Sequence, residues 1–276
     1  MNAACGMHDD DRRAAGNFRL RLGERRLRGR VGGQRGAGAG SSLEFLDFRD
    51  YLPGDDLRYL DWRGYARTEQ LRVRVHEAEV APWLDLLVDG SASMAVTPAK
   101  ERAVRALLGA LVGWSRQAGC GSRLLALGGG SVAGDALRFD GPALPPAAAR
   151  PLVPLRTGGI RILVTDGLWA EDPLPLWRVL LGGGGRAIVV RVLDPWEAEP
   201  TPGTTCTLVD CEAAGRAEVS LDARAVAAYR ERLQRLTAVQ RDSLLAAGGT
   251  FVTTTASSLA VMCARDLVPA GLVEAA

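Results

Sequence analysis

Five short apolar runs constrain this chain more than any other feature. They are WLDLLV (83–88), SRLLAL (122–127), IRILVTD (160–166), RAIVVRVLD (186–194) and TFVTT (250–254). Each has strand length, and WLDLLV and RAIVVRVL read as strands buried on both faces. Helical signals lie between them. Thr97 is a good N-cap, and Pro98 suits the first helical position, so a helix is expected to run to about Gln117 and stop at Gly119. A second is expected near Leu174–Leu181. A third is expected to start at a cap on Asp222, bury Val226, Tyr229, Leu233 and Leu236, and end at Gly248-Gly249. Strands alternating with helices predict an α/β fold with a doubly wound, mostly parallel sheet of Rossmann type.

The chain ahead of those runs divides in two. Residues 1–38 are poor in apolar side chains and rich in glycine, with nine arginines from Arg12 to Arg35. They are expected to form a flexible Arg/Gly-rich arm, dispensable for folding. Residues 39–80 form an N-terminal extension dense in aromatic and charged residues. QLRVRVHEAEV within it reads as a half-buried strand, and Pro53-Gly54-Asp55-Asp56 as a turn. Asp55, Asp56, Arg58 and Asp61 are expected to make a buried ion-pair network around that turn, with Tyr51 and Trp62 packed nearby. Residues 81–276 carry the α/β domain. The stretch 128–159 is poorly patterned and reads as loop with short strand.

Composition narrows the function. The formal net charge is +2, which argues against a general electrostatic nucleic-acid binder, and no sequence-specific nucleic-acid partner is expected. No apolar stretch approaches the roughly 20 residues of a membrane span, so no membrane insertion is expected. The acidic start MNAACGMHDDD has no apolar core and does not read as a signal peptide. The five cysteines are scattered and never spaced C-x-x-C. A cytoplasmic protein is expected. With only His8 and His76 as histidines, a zinc site is not.

The chemistry-bearing stretch is LDLLVDGSASM, residues 84–94. A strand ends in Asp89, and Ser91 and Ser93 follow from a single turn. The strand IRILVT ends in the same way at Asp166. In doubly wound sheets ligands collect at the carboxyl ends of strands. Two carboxylates and two hydroxyls there are hard oxygen donors suited to a divalent ion, Mg2+ or Mn2+. The plainer reading is that Asp89 and the serines cap the turn. Other motifs are weak. The glycine runs at 128–130 and 182–185 lack the Lys-Ser/Thr of a phosphate-binding loop, and DGSASM is not a nucleophile elbow.

FRDYLPGDDLRYLDWRGYARTEQLRVRVHEAE, followed by LLVDGSASM, ILVTDG and VLDPWEAEP, resembles domain-of-unknown-function family 58 over roughly residues 40–260. That family is similar to the von Willebrand factor A domain, whose metal-ion-dependent adhesion site uses an Asp-x-Ser-x-Ser run, a threonine and a second aspartate. The resemblance implies Asp89, Ser91, Ser93 and Asp166 as metal ligands. It also implies a threonine in a Gly-x-Thr or Gly-Thr-Asp context, and none is present between the two aspartates. Thr157 is the lone threonine between Thr97 and Thr165, and it lies too close to the Asp166 strand to match. The site is thus expected to be one ligand short.

The resemblance further implies a non-enzymatic adaptor or co-chaperone of a MoxR-type AAA+ ATPase, acting on an unknown client protein. Two other classes compete with that reading. One is a metal-dependent hydrolase using the same cluster, which needs a general base near the ion. The other is a structural scaffold with no bound metal.

Overall fold

The computed structural model describes residues 7–21, 28–29, 44–53, 55, 57–79, 83–212 and 215–276. Its early elements are α1 (Asp9–Ala15), β1 (Phe18–Leu20), β2 (Arg28–Gly29), β3 (Glu44–Asp50), α2 (Trp62–Thr68) and β4 (Arg72–Glu79). There follow β5 (Trp83–Val88), α3 (Pro98–Gln117), β6 (Gly121–Ala126), β7 (Ile160–Thr165), α4 (Leu174–Leu181), β8 (Arg186–Leu193) and α5 (Pro195–Ala198). The last are β9 (Thr204–Val209), β10 (Arg216–Leu221), α6 (Ala223–Ala246), β11 (Thr250–Thr255), α7 (Leu259–Met262) and β12 (Val273–Ala275). They fall into two compact units. One joins Met1–Leu22 to Pro82–Ala276, and the other is Gly23–Ala81.

The larger unit is built on five parallel strands in the order β11-β8-β7-β5-β6. The five apolar runs supply these strands. Alternation along each strand divides the core into two layers. Leu84, Leu86, Val88, Ile160, Ile162, Val164, Val190 and Val192 pack with α3 and α7 on one face. Leu87, Leu163, Val189 and Leu125 pack with Trp177 of α4 and Leu244 of α6 on the other. From β5 the chain passes through α3 to β6 on one side. The next strand, β7, joins on β5's other side, so the direction of winding reverses between β5 and β7.

The helix signals hold. Thr97 Oγ1 accepts the Lys100 amide at 3.1 Å, and Pro98 opens α3. Gly119 follows with φ of 69°, a left-handed conformation that favours glycine. Burial of Leu107, Leu108, Leu111 and Trp114 fixes the helix, at roughly 1.5–3 kcal/mol for each fully buried large apolar side chain. Asp222 Oδ1 caps α6 by accepting the Ala225 amide at 2.7 Å. That helix is less buried than its pattern predicts: Val226 is buried, while Tyr229, Leu233 and Leu236 are half-buried. The antiparallel hairpin β9–β10 has largely exposed strands, and no apolar pattern announced it. Between β6 and β7, where loop with short strand is expected, the chain is loop with two isolated bridges, Ser131 to Leu125 and Gly141 to Ser91, and forms no strand.

The expectation of a flexible arm over 1–38 needs correction at residues 7–21. Here α1 and β1 belong to the larger unit. β1 pairs antiparallel with β12, Leu20 is buried, and Met7 packs against the core cluster around α3. The Trp114 indole N–H donates to the Ala15 carbonyl at 2.9 Å. The many arginines hid a short amphipathic segment whose few apolar residues are the ones that dock. The rest of the arm, residues 1–6, 22–27 and 30–38, lies outside the described residues.

The smaller unit holds a three-stranded sheet in the order β2-β4-β3, antiparallel throughout. Its turn is held otherwise than expected. The Asp55 carboxylate takes two hydrogen bonds from the Arg49 guanidinium, at 2.6 and 2.7 Å, and one from the Leu52 amide at 2.8 Å. This pair, which draws the Asp55 carboxyl below its usual range, is partly exposed rather than buried. Arg58 stands on an exposed turn at Leu57–Tyr59. The Asp61 amide donates to the Arg72 carbonyl at 2.8 Å, just ahead of α2. Asp56 lies outside the described residues. Tyr51 is half-buried, but Trp62 is 58 % exposed and stands edge-on to Tyr65, centroids 6.5 Å apart.

Candidate functional site

Asp89 follows β5 and Asp166 follows β7, the two strands between which the winding reverses. A doubly wound sheet opens its crevice at such a point. The Asp89 amide donates to the Val164 carbonyl at 3.0 Å and carries the β5–β7 ladder one residue further. Its carboxylate is then shared locally. Oδ1 accepts the Ser91 amide at 3.0 Å, and Oδ2 accepts the Thr165 hydroxyl at 2.8 Å. The first bond bends the chain into the short turn Ala92–Ala95. That turn brings the Ser91 and Ser93 hydroxyls within 2.9 Å of each other.

Asp166 is held differently. Lys100, on the first turn of α3, is 0 % exposed. Its ammonium donates to Asp166 Oδ2 at 3.2 Å and to both Glu197 oxygens, at 3.0 and 2.8 Å. Glu197 is fixed in turn by a capping box on α5. There its carboxylate accepts the Asp194 amide at 2.7 Å, and Asp194 accepts the Trp196 amide at 2.9 Å. Thr97 ties the two helix starts together by donating to Asp194 Oδ2 at 2.6 Å.

Behind Asp166, the chain turns at Gly167 with φ of 60°. The buried Arg191 of β8 donates to the Gly167 carbonyl at 3.1 Å, to the Thr237 hydroxyl at 2.7 Å and to Gln240. A side chain at position 167 would be strained by that φ and would come within 3.3 Å of Arg191 and Gln240.

Burial dominates the electrostatics. It pushes the Asp89 carboxyl above its usual range, and the neighbouring charge of Asp166 adds to this. The bonds from Ser91 and Thr165 oppose it. Burial also raises Glu197, against the pull of Lys100. Arg191 is lowered by burial to about 10, with Asp166 opposing, and stays a cation at neutral pH.

The structure therefore brings Asp89, Ser91, Ser93 and Asp166 together, as their spacing predicts. Sequence reasoning missed Lys100, Thr165, Arg191 and Glu197. Nothing local marks a helical lysine as buried. Asp194 and Glu197 did carry a signal, since VLDPWE places an aspartate at the end of a third strand and a glutamate at the third helical position. No threonine fills the expected metal position. Thr97 caps α3, and Thr157 lies beside Gly183 at the amino edge of the sheet.

The residues present do not fit a divalent ion as a direct ligand set. Asp166 Oδ2 already holds a buried ammonium, both Asp89 oxygens accept bonds from the fold, and among the described residues no threonine takes the expected ligand position. Among the described residues no cluster of three or more His, Cys, Asp or Glu side chains is placed to hold a metal.

Around this polar centre the same sheet edge is apolar. Val96, Leu168 and Trp196 follow β5, β7 and β8 and are 46, 40 and 42 % exposed. Each stands within a few residues of Asp89, Asp166 or Asp194.

The family described as "Protein of unknown function DUF58" matches residues 47–130, in keeping with the resemblance read from the sequence. That match spans the Asp55 turn, α2 and the Asp89-Ser91-Ser93 run. Among solved structures, the conserved hypothetical protein BatB from Bacteroides thetaiotaomicron is similar at 14 % identity and a TM-score of 0.35. The likeness covers 64 % of this chain and 92 % of that one. It is too slight to add to the α/β architecture that the strand order already gives. No curated protein matches the chain. Among the described residues no helix is long and apolar enough to cross a membrane.

Proposed function

We propose that this chain is a non-enzymatic protein-interaction module of the von Willebrand factor A type, an adaptor or co-chaperone of a MoxR-type AAA+ ATPase. Its contact face is the carboxyl edge of the sheet. One observation carries the reading: exposed Val96, Leu168 and Trp196 stand on the segments that follow β5, β7 and β8, the strands whose ends hold a buried, hydrogen-bonded charge cluster. Exposed apolar side chains around a fixed polar centre suit a protein partner, and tryptophan is a frequent energetic anchor of such contacts. The ATPase enters through the family resemblance alone.

The bonding within the cluster favours the module over the hydrolase. Ser91 pairs with Ser93 and not with a base. His8 precedes α1 and His76 lies on β4, so neither is on the strand-end loops. Asp89, Asp166 and Glu197 are occupied by Thr165, Ser91 and Lys100.

Affinity capture of the ATPase from the native cell tests the proposal. Trp196→Ala is expected to weaken capture about tenfold or more, as for an anchor contributing over 1 kcal/mol. Capture unaffected by Trp196→Ala and by Leu168→Ala would remove the face from consideration, and no capture under any condition would remove the ATPase. Metal-dependent turnover of a phosphoester or peptide that Asp89→Ala abolishes would replace the module with the hydrolase.

A further inference from the structure

The α3 lysine at the crevice explains why the donor set departs from a metal site. We infer that Lys100 is the resident cation of this site: its ammonium pairs with Asp166 and Glu197 at the point where a divalent ion would otherwise be recruited, and so keeps a metal out. The inference deepens the interaction reading, because it makes the contact face independent of metal.

Three observations converge on it. Lys100 is fully buried, and a buried ammonium persists only when its charge is answered and its protons are bonded. Its ammonium bonds carboxylates at the ends of two different strands or their loops, Asp166 after β7 and Glu197 after β8. The arrangement is also rigid. Thr97 caps the helix that carries Lys100 and bonds Asp194, while Asp194 and Glu197 cap α5. Helix start, lysine and both carboxylates thus form one closed unit.

The hydroxyl half of an oxygen site survives beside it. Ser91 and Ser93 converge at 2.9 Å, and Asp89 bonds the same turn. Taking away the ammonium would leave Asp166 and Glu197 uncompensated as well as Asp89, and would free oxygen donors of the kind that Mn2+ or Mg2+ takes. With the ammonium in place, a partner that meets this face finds no open metal position for an acidic side chain. It meets the apolar side chains of Val96, Leu168 and Trp196.

The test uses the isolated full chain, with Mn2+ as the probe. Calorimetric titration and melting temperature, in chelator and in millimolar-order Mn2+, are compared for the wild type, Lys100→Ala and Lys100→Ala with Asp166→Asn. The wild type is expected to give no binding heat and one melting temperature in both conditions. Lys100→Ala is expected to bind Mn2+ at least tenfold more tightly than the wild type, with a rise in melting temperature that the added Asp166→Asn removes. Lys100→Met retains the aliphatic stem and substitutes if the alanine variant does not fold. Wild-type Mn2+ binding that Asp89→Ala abolishes would overturn the inference by itself, as would a folded Lys100 variant that gains no affinity. Partner capture plays no part here, so this result and the failure of the interaction reading are told apart.

Discussion

Asp85 and Asp89 lie on one strand and its end, four residues apart and on the same face by alternation, and both are buried. Their surroundings differ entirely. At the amino edge, Asp85 Oδ1 accepts the Arg123 guanidinium at 2.6 Å and the Trp83 indole at 2.9 Å. Its Oδ2 accepts the Arg156 amide at 3.0 Å. The Arg156 guanidinium stacks on the Trp83 ring at 3.6 Å. Arg161, close by, donates to four carbonyls and ties the end of α4 to the loop at residue 156. Every charge at that edge holds one part of the fold to another. At the carboxyl edge, Asp89 has two neutral donors and a carboxylate for a neighbour, and the lysine that could answer it bonds Asp166 and Glu197 instead. A buried carboxylate alone therefore marks no site. What distinguishes the two is whether its charge is answered by the structure that surrounds it.

That contrast makes graded predictions. Asp85→Ala is expected to have the largest effect, about 3 kcal/mol of lost stability, because it strands a guanidinium, an indole N–H and an amide. In a unit of this size that is roughly 6–12 °C of melting temperature. A loss below about 1 kcal/mol would erase the difference between the edges. Glu197→Ala is expected to cost about 1–2 kcal/mol, since it removes the acceptor of both the Lys100 ammonium and the Asp194 amide, and urea unfolding would measure it.

The third prediction concerns pH. Asp89 and Glu197 have folded pKa values above the unfolded 3.8 and 4.5, so the folded chain binds more protons between the unfolded and folded values. Their contribution to stability is present below the unfolded values and is lost as pH rises through the folded ones. Asp89→Asn with Glu197→Gln should therefore flatten the decline in melting temperature as pH rises above the unfolded values. Asp55, lowered by Arg49, acts with the opposite sign, but it is common to both chains and drops out of the comparison. A wild type and double variant with parallel profiles would show that burial does not burden the carboxyl edge. The smallest effect on folding is expected from Ser91→Ala with Ser93→Ala, within about 0.5 kcal/mol, because those hydroxyls chiefly bond each other.

The contrast also accounts for what the sequence disclosed. The five strands, the caps at Thr97 and Asp222 and the positions of Asp89 and Asp166 are local properties, written as apolar runs and the residue types beside them. Lys100 is not local. In TPAKERAV it looks like any first-turn lysine, and its burial is created by the ends of β7 and β8 closing over it. Arg191 is equally hidden inside an apolar run, where its charge is answered by a glycine carbonyl, Thr237 and Gln240. The ion pair of Asp55 was sought at Arg58, the sequence neighbour, and is made with Arg49 across the turn. In each case the partner came from another element, which periodicity does not report.

The pairing of β1 with β12 has a consequence for the order of events during synthesis. Arg19 of β1 and its ion-pair partner Glu274 of β12 are 255 residues apart. At roughly 5–20 residues per second, β1 waits on the order of 10–50 s for its other half to be made. α1 can dock on α3 long before that, since α3 ends at Gln117. Throughout that interval β1 is without its partner strand, and the β1–β12 pair closes only after all five strands of the parallel sheet have been made.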